Sequence, residues 1–467
     1  MSRILLRAGM NPLDEVNISE VIARNLVGSN VGNLIYANSI YRTLTVDENT
    51  EIVPDCYALT EFDAPVINEE FDSYIIPLAD MFRKNNANEI NRVKGLVKAL
   101  KIPCIVVGVG VRANSIKEID GELPFDNNVK SFVNAVLDKS AIMGVRGELT
   151  ARYLTRLGFK EDVDFKIIGC PSMYTYGELP KMKELKTDKS SLISVNSSII
   201  ARQQTIDFCR SILDEYENSV FIPQRLDELM TLYLGIDYLH ETVRNDYPDT
   251  VADRIYQQDR VKIFLQANQW IEFMKGANLS IGSRLHGNVA GILAGTPSII
   301  IPHGMRMKEL ISYHSLPNIS FEELEKCKNL EEVAEKVDFD AMYNKYGENL
   351  ERYKSFLKAN SIETVFDKKS VPFDDMLKNN KNDYEVVSVV NLTQMEIAQR
   401  FSDVYRTRSR NANEEYWKMF YKATALNNTS IKRDSSLLIS KLKDKAKGNK
   451  RSNTERLQEL KNKSLSQ

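Results

Sequence analysis

"NLSIGSRLHGNVAGILAGTPSIIIP", residues 278–302, carries the pattern that decides the fold. "NLSIG" is a short apolar run closed by a glycine and reads as a strand. "HGNVAGILAG" is a small-residue helix, and "SIIIP" is the next strand. Strand, helix and strand in so short a span form a βαβ unit with parallel strands. Arg284 and His286 stand at its first strand-to-helix turn. Ionisable groups there are costly to desolvate unless something pairs with them, either a buried carboxylate or a ligand. Gly282 and Gly287 would let the backbone approach a ligand closely. The helix N-terminus favours an anion. Arg284 offers a fork matched to carboxylate or phosphate, and His286 a proton donor or a further anion contact.

Outward from this unit the same alternation recurs. Upstream, "RILLRAG" reads as a strand, "GSNVGN" as a Gly-rich turn and "LIYANSIYRTL" as a helix. "YIIPLADMF" and "PCIVVGVGV" are apolar runs bounded by turn residues. "VKSFVNAVLDKS" is a helix, "AIMGV" a strand, "GELTARYLTRLGF" a helix stopped at Gly158, and "DFKIIG" another strand. Near-continuous apolar strands alternating with helices predict parallel sheets covered on both faces. A polar connector around residues 177–191 separates this set from a second, opened by "LISVNSSI" and "SVFIPQ". The expected architecture is α/β: two doubly wound, Rossmann-like lobes facing a cleft, with ligands at the carboxyl ends of the strands. The boundaries read as 1–176 for the first lobe and 177–320 for the second. A helical extension follows over 321–430, in "FEELEKCKNLEEVAEKV", "MYNKYGENLERYKSFLKAN" and "LTQMEIAQRFSDVYRTRSR". A Lys-rich tail of low apolar content closes the chain over 431–467.

Three further strand ends carry candidates. Arg146 follows "AIMGV"; a salt bridge with Glu148 or a helix-end contact accounts for it without a ligand. Gly108 and Gly110 end "VVGVG", where a close strand–loop crossing serves as well as a ligand. His303, Arg306 and Lys308 cluster after "SIIIP", on a loop at the level of Arg284. Taken with Arg284 and Arg146, they predict an anionic small ligand with more than one charged group.

At 467 residues with 43% hydrophobic and 27% charged, the chain has room for two cores and a tail. A net charge of −2 gives no reason to expect nucleic acid. No apolar run has the length of a membrane span, about 20 residues, and the first residues lack a signal-peptide core. Cys56, Cys104, Cys170, Cys209 and Cys327 are scattered, as free thiols in a reducing cytoplasm would be, with no zinc spacing. Cys170 reads as a packed thiol.

Three motifs, "GVRGELTARYL" with "LGF", "IIGCPSM", and "FMKGANLSIGSRLHGNVAGILAGTPSIII", resemble the polysaccharide pyruvyltransferase family over residues 15–320 or so. The resemblance implies a glycosyltransferase-B-like pair of lobes. It implies a transferase that moves the pyruvyl group of phosphoenolpyruvate onto a sugar of an envelope or capsular polysaccharide precursor, forming a pyruvate ketal. By motif, Arg146 matches the family's arginine before the first-lobe helix, and Arg284 and His286 its Arg-x-His pair. Arg306 falls where a lysine is usual, with Lys308 as the substitute if the loop shifts. The implied partners are phosphoenolpyruvate and a sugar acceptor, lipid-linked or free, with no metal and no cofactor. The location is cytoplasmic, with the basic tail available to the inner face of the membrane. The sequence departs from the pattern at "PLADMF", where a Gly-rich run is usual, and at Gly-Cys-Pro in place of Gly-Asp-Pro. Two other functions stay open on these residues: a two-lobed nucleotide-sugar glycosyltransferase, and a catalytically degenerate scaffold in polysaccharide assembly.

Overall fold

The computed structural model describes residues 2–237, 242, 244–366, 368, 370–379 and 385–410. The Lys-rich tail expected over 431–467 lies outside the described residues.

In the first lobe, β1 (Arg3–Leu6), β2 (Glu51–Pro54), β3 (Ser73–Pro77) and β4 (Cys104–Val107) form a parallel sheet in the order β2-β1-β3-β4. β5 (Met143–Val145) and β6 (Phe165–Ile167) pair in parallel beside it. The chain just past β4 ties them on: Val109 N donates to Gly144 O (3.1 Å), and Arg146 N donates to Val109 O (3.0 Å). The second lobe holds β7 (Ile193–Val195), β8 (Val220–Phe221), β9 (Leu279–Gly282) and β10 (Ser298–Ile300), again parallel, in the order β10-β9-β7-β8. Single bridges extend it at Val261 beside β8 and Asn318 beside β10. Each sheet therefore reverses its strand order once, between β1 and β3 and between β7 and β9, where doubly wound folds open a crevice for ligands.

The strands are short because they are sunk in core on both faces. Cys104, Ile105, Val106 and Val107 are all buried, as are Leu279 to Gly282. The helices that position the cleft are α1 (Gly32–Leu44), α2 (Glu148–Arg156), α3 (Leu226–Leu234), α4 (Leu285–Leu293) and α5 (Met305–His314). Two more, α6 (Ala341–Ala359) and α7 (Gln394–Arg410), close the described chain. Every residue of α4 is buried, and no side chain caps its N-terminus, which opens on the cleft.

The helical extension is not a unit of its own. α6 returns to the first lobe: Asn360 Nδ2 donates to Ile142 O (3.0 Å), Lys166 Nζ to Ser355 Oγ (3.2 Å), and Tyr353 stacks on Tyr174 at 4.9 Å. Arg42 of α1 forks onto Asp374 (2.7 and 2.8 Å). α7 packs on both α3 and the helix Ile18–Arg24. The acid-rich stretch read as one helix from 321 is two short ones, Phe321–Leu324 and Leu330–Ala334. Ser320 and Asn329 cap them, each accepting from a backbone N–H. β2 was not foreseen: "EIVP" has too few residues to show a period. No helix among the described residues is long and apolar enough to cross a membrane.

Candidate functional site

The two crevices face each other and enclose one cavity of about 720 Å³. It is walled by the carboxyl ends of the strands. Arg7 follows β1, Asp80 and Arg83 follow β3, and Arg112 follows β4. From the other lobe, Arg284, Leu285 and His286 follow β9, and His303 and Arg306 follow β10.

Arg284 is the N-cap residue of α4. Its backbone is fixed by the strand β7 beside it: Arg284 N donates to Asn196 O (3.1 Å). Its Nε reaches Ser197 O at 3.4 Å, and one terminal nitrogen stands 3.8 Å from Glu228 on α3. The buried carboxylate that the sequence left open as an alternative to a ligand therefore exists, but only at a loose distance. Glu228 is otherwise engaged, accepting from Gln224 N (2.9 Å), Arg225 N (2.7 Å) and the Tyr247 hydroxyl. Arg284 Nη2 is buried with no hydrogen-bond partner among the described residues.

His286, in the first turn of α4, is buried against the other lobe and stacks on Tyr36 of α1 (6.5 Å between ring centres). Gly32 makes that contact possible, since a Cβ there would lie 2.9 Å from His286 Cβ. Burial, then the charges of Arg146 and Arg306, push the imidazole down to about 3, so it is neutral at physiological pH.

Arg146 is fully buried directly behind this wall. It makes no pair with Glu148, contrary to the ligand-free account of it. Its Nε donates to Gly108 O (2.8 Å), and its guanidinium lies 5.6 Å from the Tyr36 ring centre. Neither Nη1 nor Nη2 has a partner among the described residues. An unpaired buried guanidinium costs several kcal/mol, and its charge bears on the cavity through Tyr36 and His286. His314 on α5 closes the same region. It accepts from Cys170 N at Nε2 (2.8 Å), and burial and Arg146 push it down to about 3. Cys170 Sγ sits 3.8 Å from His286 Nε2 in a buried position, a packed thiol as expected.

Arg306 does not sit on a loop; it and Lys308 belong to the first turn of α5. Arg306 faces the cavity with its Nε unpartnered and one terminal nitrogen 3.7 Å from Asp80. Lys308 is exposed and lies outside the cavity lining. The four glycines also lie outside it. Gly282, at φ +150, is pressed by the protein's own backbone: a Cβ there would stand 2.5 Å from Asn196 O. Gly287 meets Gln224 and Asn196, Gly108 meets Tyr36, and Gly110 meets Arg146. Their close approach is to protein, not to ligand.

Sequence reading missed Asp80, Arg83 and Arg112. All three follow strand ends, the signal that singled out Arg284, but in "PLADMFR" and "GVGVR" no helix pattern follows at once to mark the turn. Burial raises the Asp80 carboxyl, but Arg306, Arg83 and Arg146 outweigh it and hold the group down to about 2. No His/Cys/Asp/Glu cluster suited to a metal ion is found among the described residues.

Two Rossmann-like lobes that close an arginine-lined cleft between their strand ends define a glycosyltransferase-B-like protein. Within that class the chain belongs to the polysaccharide pyruvyl transferase family, whose model matches residues 30–304, and is a transferase of that family. No curated protein matches it in sequence. Among solved structures, a functionally uncharacterised protein from Klebsiella pneumoniae is similar at 14% identity and a TM-score of 0.33, over 70% of this chain and 92% of its own. A UDP-N-acetylglucosamine 2-epimerase from Rickettsia bellii is similar at 11% and 0.38, over 77% and 96%. The UDP-GlcNAc 2-epimerase of Neisseria meningitidis, bound to UDP-GlcNAc, is similar at 10% and 0.37, over 81% and 100%.

Proposed function

We propose that the protein transfers the pyruvyl group of phosphoenolpyruvate to a sugar of an envelope or capsular polysaccharide precursor, forming a pyruvate ketal. One observation supports this reading above the rest. Arg146, Arg284 and Arg306, from three separate segments, keep buried nitrogens without hydrogen-bond partners among the described residues, on or directly behind the cavity wall. Phosphoenolpyruvate, with a carboxylate and a phosphate, answers such a set through charge-assisted hydrogen bonds, and the uncapped N-terminus of α4 adds to it.

In the reaction, a proton adds to the methylene carbon of the donor, and positive charge develops at the carbon bearing phosphate. One sugar hydroxyl adds there, the bond to phosphate breaks, and a second hydroxyl closes the ketal. Of the two hydroxyl protons, one replaces the proton spent on the methylene carbon and the other leaves with phosphate. Arg284 and Arg306 hold the anionic groups and stabilise the departing phosphate. His286 is the proton carrier. It is neutral in the empty cleft, and the donor's negative charge raises its proton affinity, so the proton arrives with the substrate. The reading carries a cytoplasmic location, with the acceptor free or lipid-linked.

The test is phosphate release from phosphoenolpyruvate in the presence of lipid-linked or nucleotide-linked sugars. Arg284→Ala and His286→Ala should each lower the rate by about 10²-fold or more, the scale of losing one charge-stabilising or proton-transfer group, while the protein stays folded. Full turnover in both variants would remove the assignment. Stabilisation by a nucleoside diphosphate and not by phosphoenolpyruvate would favour a nucleotide-sugar glycosyltransferase instead.

A further inference from the structure

Asp80 stands on the first-lobe wall of the cavity, at the carboxyl end of β3, its side chain 18% exposed. Three guanidinium groups gather on its single oxygen Oδ2. Arg83 Nη1 lies at 3.5 Å, Arg306 Nη1 at 3.7 Å and Arg112 Nη1 at 3.9 Å. Two belong to the first lobe and one reaches across from the second. None of the three has another acidic partner within 4 Å among the described residues. The distances are long for such pairs. Where arginines of this chain grip a carboxylate as a fork they close tightly, Arg156 on Asp126 at 2.8 and 2.9 Å and Arg42 on Asp374 at 2.7 and 2.8 Å. Around Asp80 one negative charge is shared loosely by three positive ones. Glu89, the other carboxylate on the cavity wall, is held firmly by Arg7 (2.5 Å) and Arg92 (2.7 and 2.8 Å).

We infer that Asp80 is a resident counter-anion that determines specificity: an incoming ligand takes over Arg83, Arg112 and Arg306 in competition with it, so that only multiply charged anions are retained. The inference deepens the proposed function and rests on it for the identity of the donor. Its physics is a charge count. A monocarboxylate offers the three arginines no more than Asp80 already gives them, and it must also give up its own hydration. A ligand bearing a phosphate and a carboxylate brings two further charges and takes the arginines over from Asp80. Asp80 thereby separates phosphoenolpyruvate from pyruvate, which shares its carbon skeleton and carboxylate but lacks the phosphate.

The experiment measures binding of phosphoenolpyruvate, pyruvate and inorganic phosphate to the full chain, comparing wild type with Asp80→Asn and Asp80→Glu. Wild type should bind phosphoenolpyruvate and show no measurable affinity for pyruvate. Asp80→Asn should bind phosphoenolpyruvate and phosphate about tenfold tighter, the scale of removing one nearby charge in a partly solvated site. It should also bring pyruvate binding, undetectable in wild type, into the measurable range. Asp80→Glu, which keeps the charge, should keep the wild-type discrimination. Weaker anion binding in Asp80→Asn, pyruvate still undetectable in that variant, or its failure to fold would each assign Asp80 to holding the lobes and overturn the inference. If wild type ignores phosphoenolpyruvate while phosphate binds tighter to Asp80→Asn, the donor assignment falls and the role of Asp80 stands.

Discussion

Arg146 brings out what one residue contributes without touching the cavity. No carboxylate is hydrogen-bonded to its guanidinium among the described residues. The charge is instead felt by its neighbours, and His286 and His314 both stay neutral beside it. A histidine held near 3 is a poor base and carries no proton to donate in the empty site, so the proposed proton transfer needs the ligand to raise its proton affinity. Phosphoenolpyruvate binding should therefore take up a proton near neutral pH. The sign follows from the shift. His286 has its proton affinity depressed when free and raised when an anion is bound, so affinity is greatest at low pH and falls as pH rises through the pKa of the bound state. Titration calorimetry in buffers of different ionisation enthalpy checks this; a heat independent of buffer at pH 7 would contradict it. Arg146, Arg284, Arg306 and this histidine were legible in the sequence because they closely follow runs that read as strands, whereas Arg83 and Arg112, also past strand ends, were not. The protonation state of His286 was not legible, since one of the buried charges responsible, Arg146, lies 140 positions away in the chain.

At the scale of elements, the cleft depends on how close α1 and α4 come. Gly32 opens α1 against His286, and the "GSNVGN" turn before it is stitched to the second lobe, with Val31 N donating to Gln224 O (2.8 Å). Gly32→Ala would force a methyl group to 2.9 Å from His286 Cβ and 3.0 Å from its Nδ1. Overpacking of this kind costs about 1–3 kcal/mol. The variant should lose that much in denaturant unfolding and lose donor affinity with it, because the ring must move. Unchanged stability and affinity would show that the two helices separate freely. The strand–helix pattern was readable because β-branched runs, glycine stops and helix periods agree along most of the first 320 residues. What escaped was β2, too short for a period, and the broken helix after 320, where capping by Ser320 and Asn329 overrode a continuous charge pattern.

Across the whole molecule, the lobes are legible from sequence and their completion is not. Periodicity announces that α6 exists, but the surface it covers is a tertiary fact. Tyr353 of α6 is fully buried, stacked on Tyr174 and near Phe356 and Phe366. Tyr353→Ala should destabilise the protein by about 3–5 kcal/mol, the usual cost of emptying a large aromatic site. Thermal or denaturant unfolding measures it, and a loss under 1 kcal/mol would mean that the first lobe does not depend on α6. The return of α6 and of the segment around Asp374 also has a temporal consequence. A ribosome delivers the six strands of the first lobe early and the residues that cover β5, β6 and α1 only after residue 340. The four strands of the second lobe, contiguous in the chain between the two, can pair while the leading half still waits in nascent form for its own lid.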